Sequence, residues 1–189
     1  MVVRNYVTNW RRARAGREDL LPMYVLWTTQ RACNFRCSYC DDHRGARYPD
    51  LPNAGVLDTD QAIRMLEIMR TRAPSVLMAG GEPTLRKDLP AITRAARNLS
   101  YYPIIVDTNG SLIHRLLERP AWSSWLADVD HLVVSLDALD PATLVDMWAY
   151  SEPTNVLRNI LLLRELADSM RFELMISTVI QPTAIHHAR

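Results

Sequence analysis

All three cysteines of this 189-residue chain fall in one short stretch, Cys33-Asn34-Phe35-Arg36-Cys37-Ser38-Tyr39-Cys40. None is left over for a disulfide. Thiolates at this spacing, in a turn that follows an extended apolar segment, can converge on one soft metal centre. Iron–sulfur clusters are usually held by four cysteines. A trio therefore leaves one iron without a protein ligand, open to a substrate or cofactor. Two other chemistries use the same residues. His43 could join the cysteines in a structural zinc site of the Cys3His kind, and Cys37-Ser38-Tyr39-Cys40 alone could be a dithiol redox pair.

Three further polar groups could do chemistry. Gly80-Gly81-Glu82-Pro83 pairs two glycines, which let backbone approach a ligand closely, with an immediate carboxylate. Thr108-Asn109-Gly110 and Ser135-Leu136-Asp137 each follow an apolar run. Taken singly, each also reads as an ordinary turn or helix entry.

The elements that must position these groups alternate along the chain. Met23 to Thr29 is rich in aromatic and β-branched residues and reads as a first strand. Asp58 to Arg72 reads as a helix with a capping box at Asp58 and Gln61 and an apolar face of Ile63, Leu66 and Met69. Strands are expected at Ser75 to Ala79, Pro103 to Asp107, His131 to Leu136 and Glu173 to Ile180. Between them, Asp88 to Leu99 should bury Leu89, Ile92, Ala96 and Leu99. Ser111 to Glu118 and Trp122 to Leu126 form shorter helical pieces, and Asp140-Pro141 starts another helix. A longer helix from about Val156 to Met170 should bury Ile160, Leu163, Ala167 and Met170. Asp41 to Pro52, which holds Gly45, Arg47 and two prolines, reads as a long surface loop, either a lid or a plain connection.

Unbroken apolar strands alternating with amphipathic helices indicate a parallel sheet covered by helices. Each polar group above follows a strand, and in a β/α barrel those strand ends share one face, where such folds place their chemistry. One site can therefore gather all four motifs. The fold expected is α/β, a partial (β/α) barrel with about five of six β/α units.

Composition narrows the setting. A net charge of +1 selects no polyanionic partner, and nucleic acid is not expected as one. No apolar run approaches the ~18 residues of a membrane span, and no signal peptide opens the chain. Cysteines committed to a cluster suit a reducing compartment. A soluble, cytoplasmic protein without membrane contact is expected. Residues 1–22 carry Arg4, Arg11, Arg12, Arg14 and Arg17 around Trp10 and read as a basic N-terminal arm, partly helical, set off by Pro22 from a core over 23–189. Such an arm binds an anion or is a solvated segment packed loosely on the domain.

The cysteine spacing, with aromatic Tyr39 before the last cysteine, resembles that of the radical S-adenosylmethionine (SAM) enzymes. The likeness extends through Gly80-Gly81-Glu82-Pro83, Leu85-Arg86-Lys87-Asp88, Thr108-Asn109-Gly110 and Val134-Ser135-Leu136-Asp137-Ala138-Leu139-Asp140. As a set these are most similar to the GTP 3',8-cyclases of molybdopterin biosynthesis and to related peptide- and cofactor-modifying enzymes. The resemblance implies a [4Fe-4S] cluster on Cys33, Cys37 and Cys40, with SAM chelating the open iron. Its reductive cleavage gives a 5'-deoxyadenosyl radical that abstracts hydrogen from a small molecule or peptide. It further implies Gly80, Gly81 and Glu82 at the SAM amino group, Tyr39 on the adenine side, and Ser135 at its polar groups. Thr108, with Asn109 beside it, and Arg86 fall at the cofactor or substrate edge, and a flavodoxin or ferredoxin serves as reductant.

The chain departs from that family in two respects. A family barrel has six strands where five are read here, and no further cysteines are present for an auxiliary cluster. An open sheet edge implies a protein partner that completes the barrel. It also implies, as an alternative, a cluster- and SAM-binding remnant without independent turnover, and a zinc-stabilised interaction domain is the third reading. His186 and His187 read as an exposed tail.

Overall fold

The computed structural model describes residues 1–40 and 56–181. The helices are Val2–Arg14 (α1), Thr59–Arg70 (α2), Leu89–Asn98 (α3), Ile113–Leu117 (α4), Pro120–Ser123 (α5), Pro141–Trp148 (α6) and Pro153–Met170 (α7). The strands are Tyr24–Thr28 (β1), Ser75–Ala79 (β2), Ile104–Thr108 (β3), His131–Ser135 (β4) and Glu173–Ser177 (β5). They form one parallel sheet in the order β1-β2-β3-β4-β5. Because among the described residues β1 pairs only with β2 and β5 only with β4, the barrel they form is not closed and both of its edges are open. The expected loop over Asp41 to Pro52, with His43 in it, and the two tail histidines lie outside the described residues.

Alternation divides the central strands between two faces. Val76, Met78, Ile104, Val106, Leu132 and Val134 are completely buried in the core under the helices. Their neighbours Ala79, Asp107 and Ser135 line a cavity on the other side. Leu89, Ile92 and Ala96 of α3 enter that core as the stripe predicts, whereas Leu99, just past the helix, is half-buried. Each large side chain of this kind contributes about 2 kcal/mol by leaving water.

The ends of α2 and α6 are set by local chemistry. Asp58 accepts from the Gln61 amide at 2.8 Å, while Gln61 accepts from the Asp58 amide at 3.1 Å. A cap of this type contributes about 1 kcal/mol. Asp140 accepts from the amide and hydroxyl of Thr143, both at 2.8 Å, immediately before Pro141.

Two helices depart from the expected stripes. On α7 the buried residues are Pro153, Val156, Asn159, Leu163 and Ala167, whereas Ile160 and Met170, both expected in the stripe, are half-buried. A polar residue joins the stripe because Asn159 bonds the carbonyl of Gly110 at 2.7 Å, a long-range demand that apolar periodicity does not report. On α2 the inward residues are Ala62 and Leu66, with Ile63 and Met69 only half-buried.

The N-terminal arm is a docked helix. Asn5 of α1 is completely buried and donates to the carbonyls of Pro22 and Arg72, at 2.9 and 3.0 Å, at the entries to β1 and β2. Asn9 exchanges two bonds with Leu21, at 2.8 and 2.7 Å. The arginines stay outward, and Arg12 and Arg17 both pair with Asp19.

Candidate active site

Cys33, Cys37 and Cys40 are free, half-buried, and line one cavity of about 160 Å³ at the carboxyl ends of the strands. Tyr39, Gly80, Gly81, Thr108, Asn109 and Ser135 line it as well. Glu82 and Arg86 do not.

The cysteine loop is held from three sides. On the first, the segment after β1 runs beside the end of β2, with Gly81 N donating to Gln30 O and Glu82 N to Ala32 O, both at 2.8 Å. This approach explains the two glycines. A Cβ at Gly80 would stand 2.4 Å from Gln30 O, and one at Gly81 would stand 2.3 Å from Arg31 O and 2.4 Å from Ala32 O. No side chain fits. Gly80 additionally has φ +137°, a conformation that L residues rarely adopt. The pair thus lets the chain leading into Cys33 close against the strand end.

On the second side, Asn109 donates to Asn34 Oδ1 at 2.9 Å and lies 3.9 Å from Cys33 Sγ, while its own Oδ1 accepts from the Ser111 amide and hydroxyl. Asn34 donates in turn to Ser111 Oγ at 2.8 Å. Asn159, through Gly110, ties this turn to α7.

On the third, Arg36 N and Ser38 N donate to the carbonyls of Trp148 and Met147, at 3.0 and 2.8 Å. Phe35 is buried and stacks on Trp148 and Tyr150, with centroids 5.2 and 4.4 Å apart. The Tyr39 phenol donates to Asp137.

Glu82 is completely buried. One carboxylate oxygen accepts from the Thr84 amide at 2.9 Å, the Thr84 hydroxyl at 2.5 Å and the Thr108 hydroxyl at 2.6 Å. The other accepts from the Asn109 amide at 2.7 Å. A side chain expected at the cofactor's amino group is therefore engaged within the protein, joining the end of β2 to the end of β3. Burial pushes its carboxyl above the usual range, against the pull of Thr108 and Thr84. Arg86 is likewise engaged, donating to Thr29 O and Leu57 O at 2.9 Å and pairing with Asp88 at 2.7 Å.

Burial raises the Cys33 thiol and pushes Cys37 up to about 11. A metal that binds these thiols must displace their protons. Burial, then the hydrogen bond to Asp137, raises the Tyr39 phenol and keeps it a donor. The three half-buried sulfurs line the wall of one cavity, where Cys33, Cys37 and Cys40 could hold a soft metal centre, though among the described residues they are not gathered into a ready-made metal site. Phe35, Trp148 and Asn159 escaped the sequence reading, which also gives Asp137 as a strand-end group without its bonds to Tyr39 and Trp148, since each acts through a partner distant in the chain.

Comparison with known proteins agrees with this arrangement. The model of the Radical SAM superfamily matches residues 27–178. The Fe-coproporphyrin III synthase of Methanosarcina barkeri is 33% identical over 116 residues, covering 61% of this chain and 27% of that protein. The GTP 3',8-cyclase 2 of Mycobacterium bovis is 39% identical over 113 residues, covering 58% of this chain and 30% of that protein. The chain thus spans about a third or less of the length of these curated relatives. Among solved structures, Streptococcus suis SuiB superposes with a TM-score of 0.69 at 19% identity, over 88% of this chain and 35% of SuiB. SuiB bound to S-adenosylmethionine superposes with a TM-score of 0.61 at 15% identity, over 98% of this chain and 47% of that one. Since the family match runs from within β1 to just past β5, with the cysteine loop and the strand-end motifs inside it, the chain belongs to the radical SAM superfamily.

Proposed function

We propose that this chain is a radical SAM enzyme with one [4Fe-4S] cluster, held by Cys33, Cys37 and Cys40, that acts on a small molecule or peptide. One observation carries this reading: the three thiols share a cavity with the Gly80-Gly81 turn, Asn109 and Ser135, at the end of the sheet where parallel folds work. The cluster and SAM supply the radical chemistry when bound.

The chain's own residues position and exclude. Cys33, Cys37 and Cys40 would hold the cluster. The Gly80-Gly81 backbone would meet the amino end of the cofactor, Tyr39 its adenine side and Ser135 its polar groups, with Thr108 at the cofactor or substrate edge. Glu82 holds the β2 and β3 ends together beneath them, and Asn109 holds the cysteine loop. Phe35 and Trp148 close the apolar wall against water. A flavodoxin or ferredoxin supplies the electron. SuiB has been solved bound to its precursor peptide, which keeps a peptide among the substrate classes. No helix among the described residues is long and apolar enough to cross a membrane, and the proposed setting is the cytoplasm.

The open sheet supports a second reading, in which a partner completes the barrel over β1 or β5. Leu26, whose partner Leu77 is half-buried, is 60% exposed at that edge. The test is anaerobic reconstitution followed by reductant and SAM, with 5'-deoxyadenosine and methionine measured. Product that disappears in Cys37→Ala upholds the enzyme. Full iron and sulfide without cleavage favours the partner-dependent reading, and stoichiometric zinc without iron overturns both.

A further inference from the structure

Helix α1 lies on the domain with its faces reversed. A surface helix ordinarily turns its apolar stripe to the core and its polar side to water. Here Asn5 and Asn9 face the domain and bond the carbonyls of Pro22, Arg72 and Leu21. Val3, Tyr6, Val7 and Trp10 recur at the three- and four-residue spacing of one continuous stripe, and all four are exposed, Val3 at 75%, Tyr6 at 64% and Trp10 at 51%. The helix cannot roll this stripe inward without stripping the completely buried Asn5 amide of both its acceptors.

A contiguous exposed stripe marks a contact surface, and the charges beside it select the occupant. α1 holds four arginines and no acidic residue. Arg12 is engaged by Asp19. Arg14 lies over the Trp10 ring, 4.5 Å from its centroid. Arg4 and Arg11, two turns apart, stand along one border of the stripe and have no ion-pair partner among the described residues. The occupant is therefore anionic at its surface and apolar beneath. A second copy of the chain does not fit, since two such helices would bring like charges together. The electron donor does not fit either. Asn5 ties α1 to the entries of β1 and β2, whereas the cysteines lie at the carboxyl ends of the strands, the length of the sheet away.

We propose that α1 is an interfacial anchor that lays Val3, Tyr6, Val7 and Trp10 on an anionic lipid bilayer, with Arg4 and Arg11 at its headgroups. Size favours lipid over an acidic protein. A 13-residue helix offers a strip about 20 Å long and about 10 Å wide, well under the ~800 Å² that a stable protein interface takes from each partner. A fluid surface receives such a ridge without a complementary groove. Tryptophan and tyrosine settle at the membrane–water boundary, and arginine lays its stem along apolar chains while its head meets lipid phosphate. The expectation of no membrane contact rested on the lack of a spanning run, which does not bear on a helix lying in the plane of the surface. Contact through α1 leaves the cavity, at the other end of the sheet, open to its ligands, and it is independent of the radical chemistry.

The test is co-sedimentation of the full chain with vesicles of phosphatidylcholine, with and without phosphatidylserine. Partition should be about tenfold or more greater with phosphatidylserine present, and should fall as salt is raised. Arg4→Gln combined with Arg11→Gln should remove most of that difference. Tyr6→Ser combined with Trp10→Ser should lower partition to the anionic vesicles by about tenfold or more. All four side chains point outward, and circular dichroism checks that both variants fold. A further measurement needs no variant: the other four tryptophans are buried or half-buried, so brominated lipid chains should quench Trp10 selectively. Equal partition to both kinds of vesicle, partition unchanged in the Tyr6 and Trp10 variant, or absence of quenching overturns the proposal. So does binding to soluble polyglutamate as tight as to the anionic vesicles, which would assign the face to an acidic protein.

Discussion

Asp137 receives the Tyr39 phenol on the same carboxylate oxygen that accepts Trp148 Nε1–H at 2.6 Å, while its other oxygen accepts the Val179 amide at 2.8 Å. One buried side chain thus fastens the cysteine loop, the end of α6 and the chain leaving β5. Asp137→Asn keeps the shape but turns an NH2 toward one of three donors, leaving that donor unmatched. Tyr39→Phe removes one donor and leaves two bonds in place. Unfolding in urea should therefore show a loss of about 3 kcal/mol for Asp137→Asn and about 1 kcal/mol for Tyr39→Phe. Equal losses would mean that the carboxylate serves Tyr39 alone.

Gly81 separates packing from ligand binding. Its Cβ would meet backbone carbonyls of Arg31 and Ala32, groups that no rotamer change can move. Gly81→Ala must push the segment before Cys33 away from β2. The expected result is folded protein, by circular dichroism, with iron and sulfide content reduced severalfold after reconstitution. Full cluster loading in Gly81→Ala would show that the loop position does not depend on this contact.

Glu82 joins the end of β2 to the end of β3 through its own carboxylate. Both oxygens only accept, from four donors. Glu82→Gln places a second NH2 among them, and a cost of about 2 to 4 kcal/mol in urea unfolding is expected. If the carboxylate instead acted mainly on the cofactor, Glu82→Gln would unfold like the parent protein and lose SAM affinity.

The fold was legible because parallel strands and amphipathic helices carry their burial in local periodicity. Ser75–Ala79 matches its expected bounds, and the other strands differ by a few residues at their ends. The strand-end motifs were legible for the same reason, since strand order alone puts their carriers on one face. What was hidden is the set of bonds between them. Two glycines in a row look the same whether they approach a ligand or the Gln30-Arg31-Ala32 backbone, and only the fold distinguishes the two. Phe35 lies between cysteines with no periodic context, and its stacking partners Trp148 and Tyr150 follow three strands later. Asn159 reads as an interruption of an apolar stripe until Gly110 is brought against it.

Asp107 links this site to stability through pH. Its carboxyl is raised, by burial first, to about 6 in the folded chain, against about 4 when unfolded. Between these values the folded state holds a proton that the unfolded state has released, so unfolding becomes harder as pH falls from above 6 toward 4. Above 6 the group is charged in both states, and its penalty is fully present. Asp107→Asn removes the penalty without adding a charge. The variant should therefore be more stable than the parent at neutral pH, by about 2 kcal/mol. That advantage should shrink through pH 6 and vanish near 4. Urea midpoints of both proteins, followed across this range in cluster-free form, measure the difference directly. Parallel profiles would show that Asp107 finds a partner in solution and is not the unmatched acceptor that the cavity wall presents.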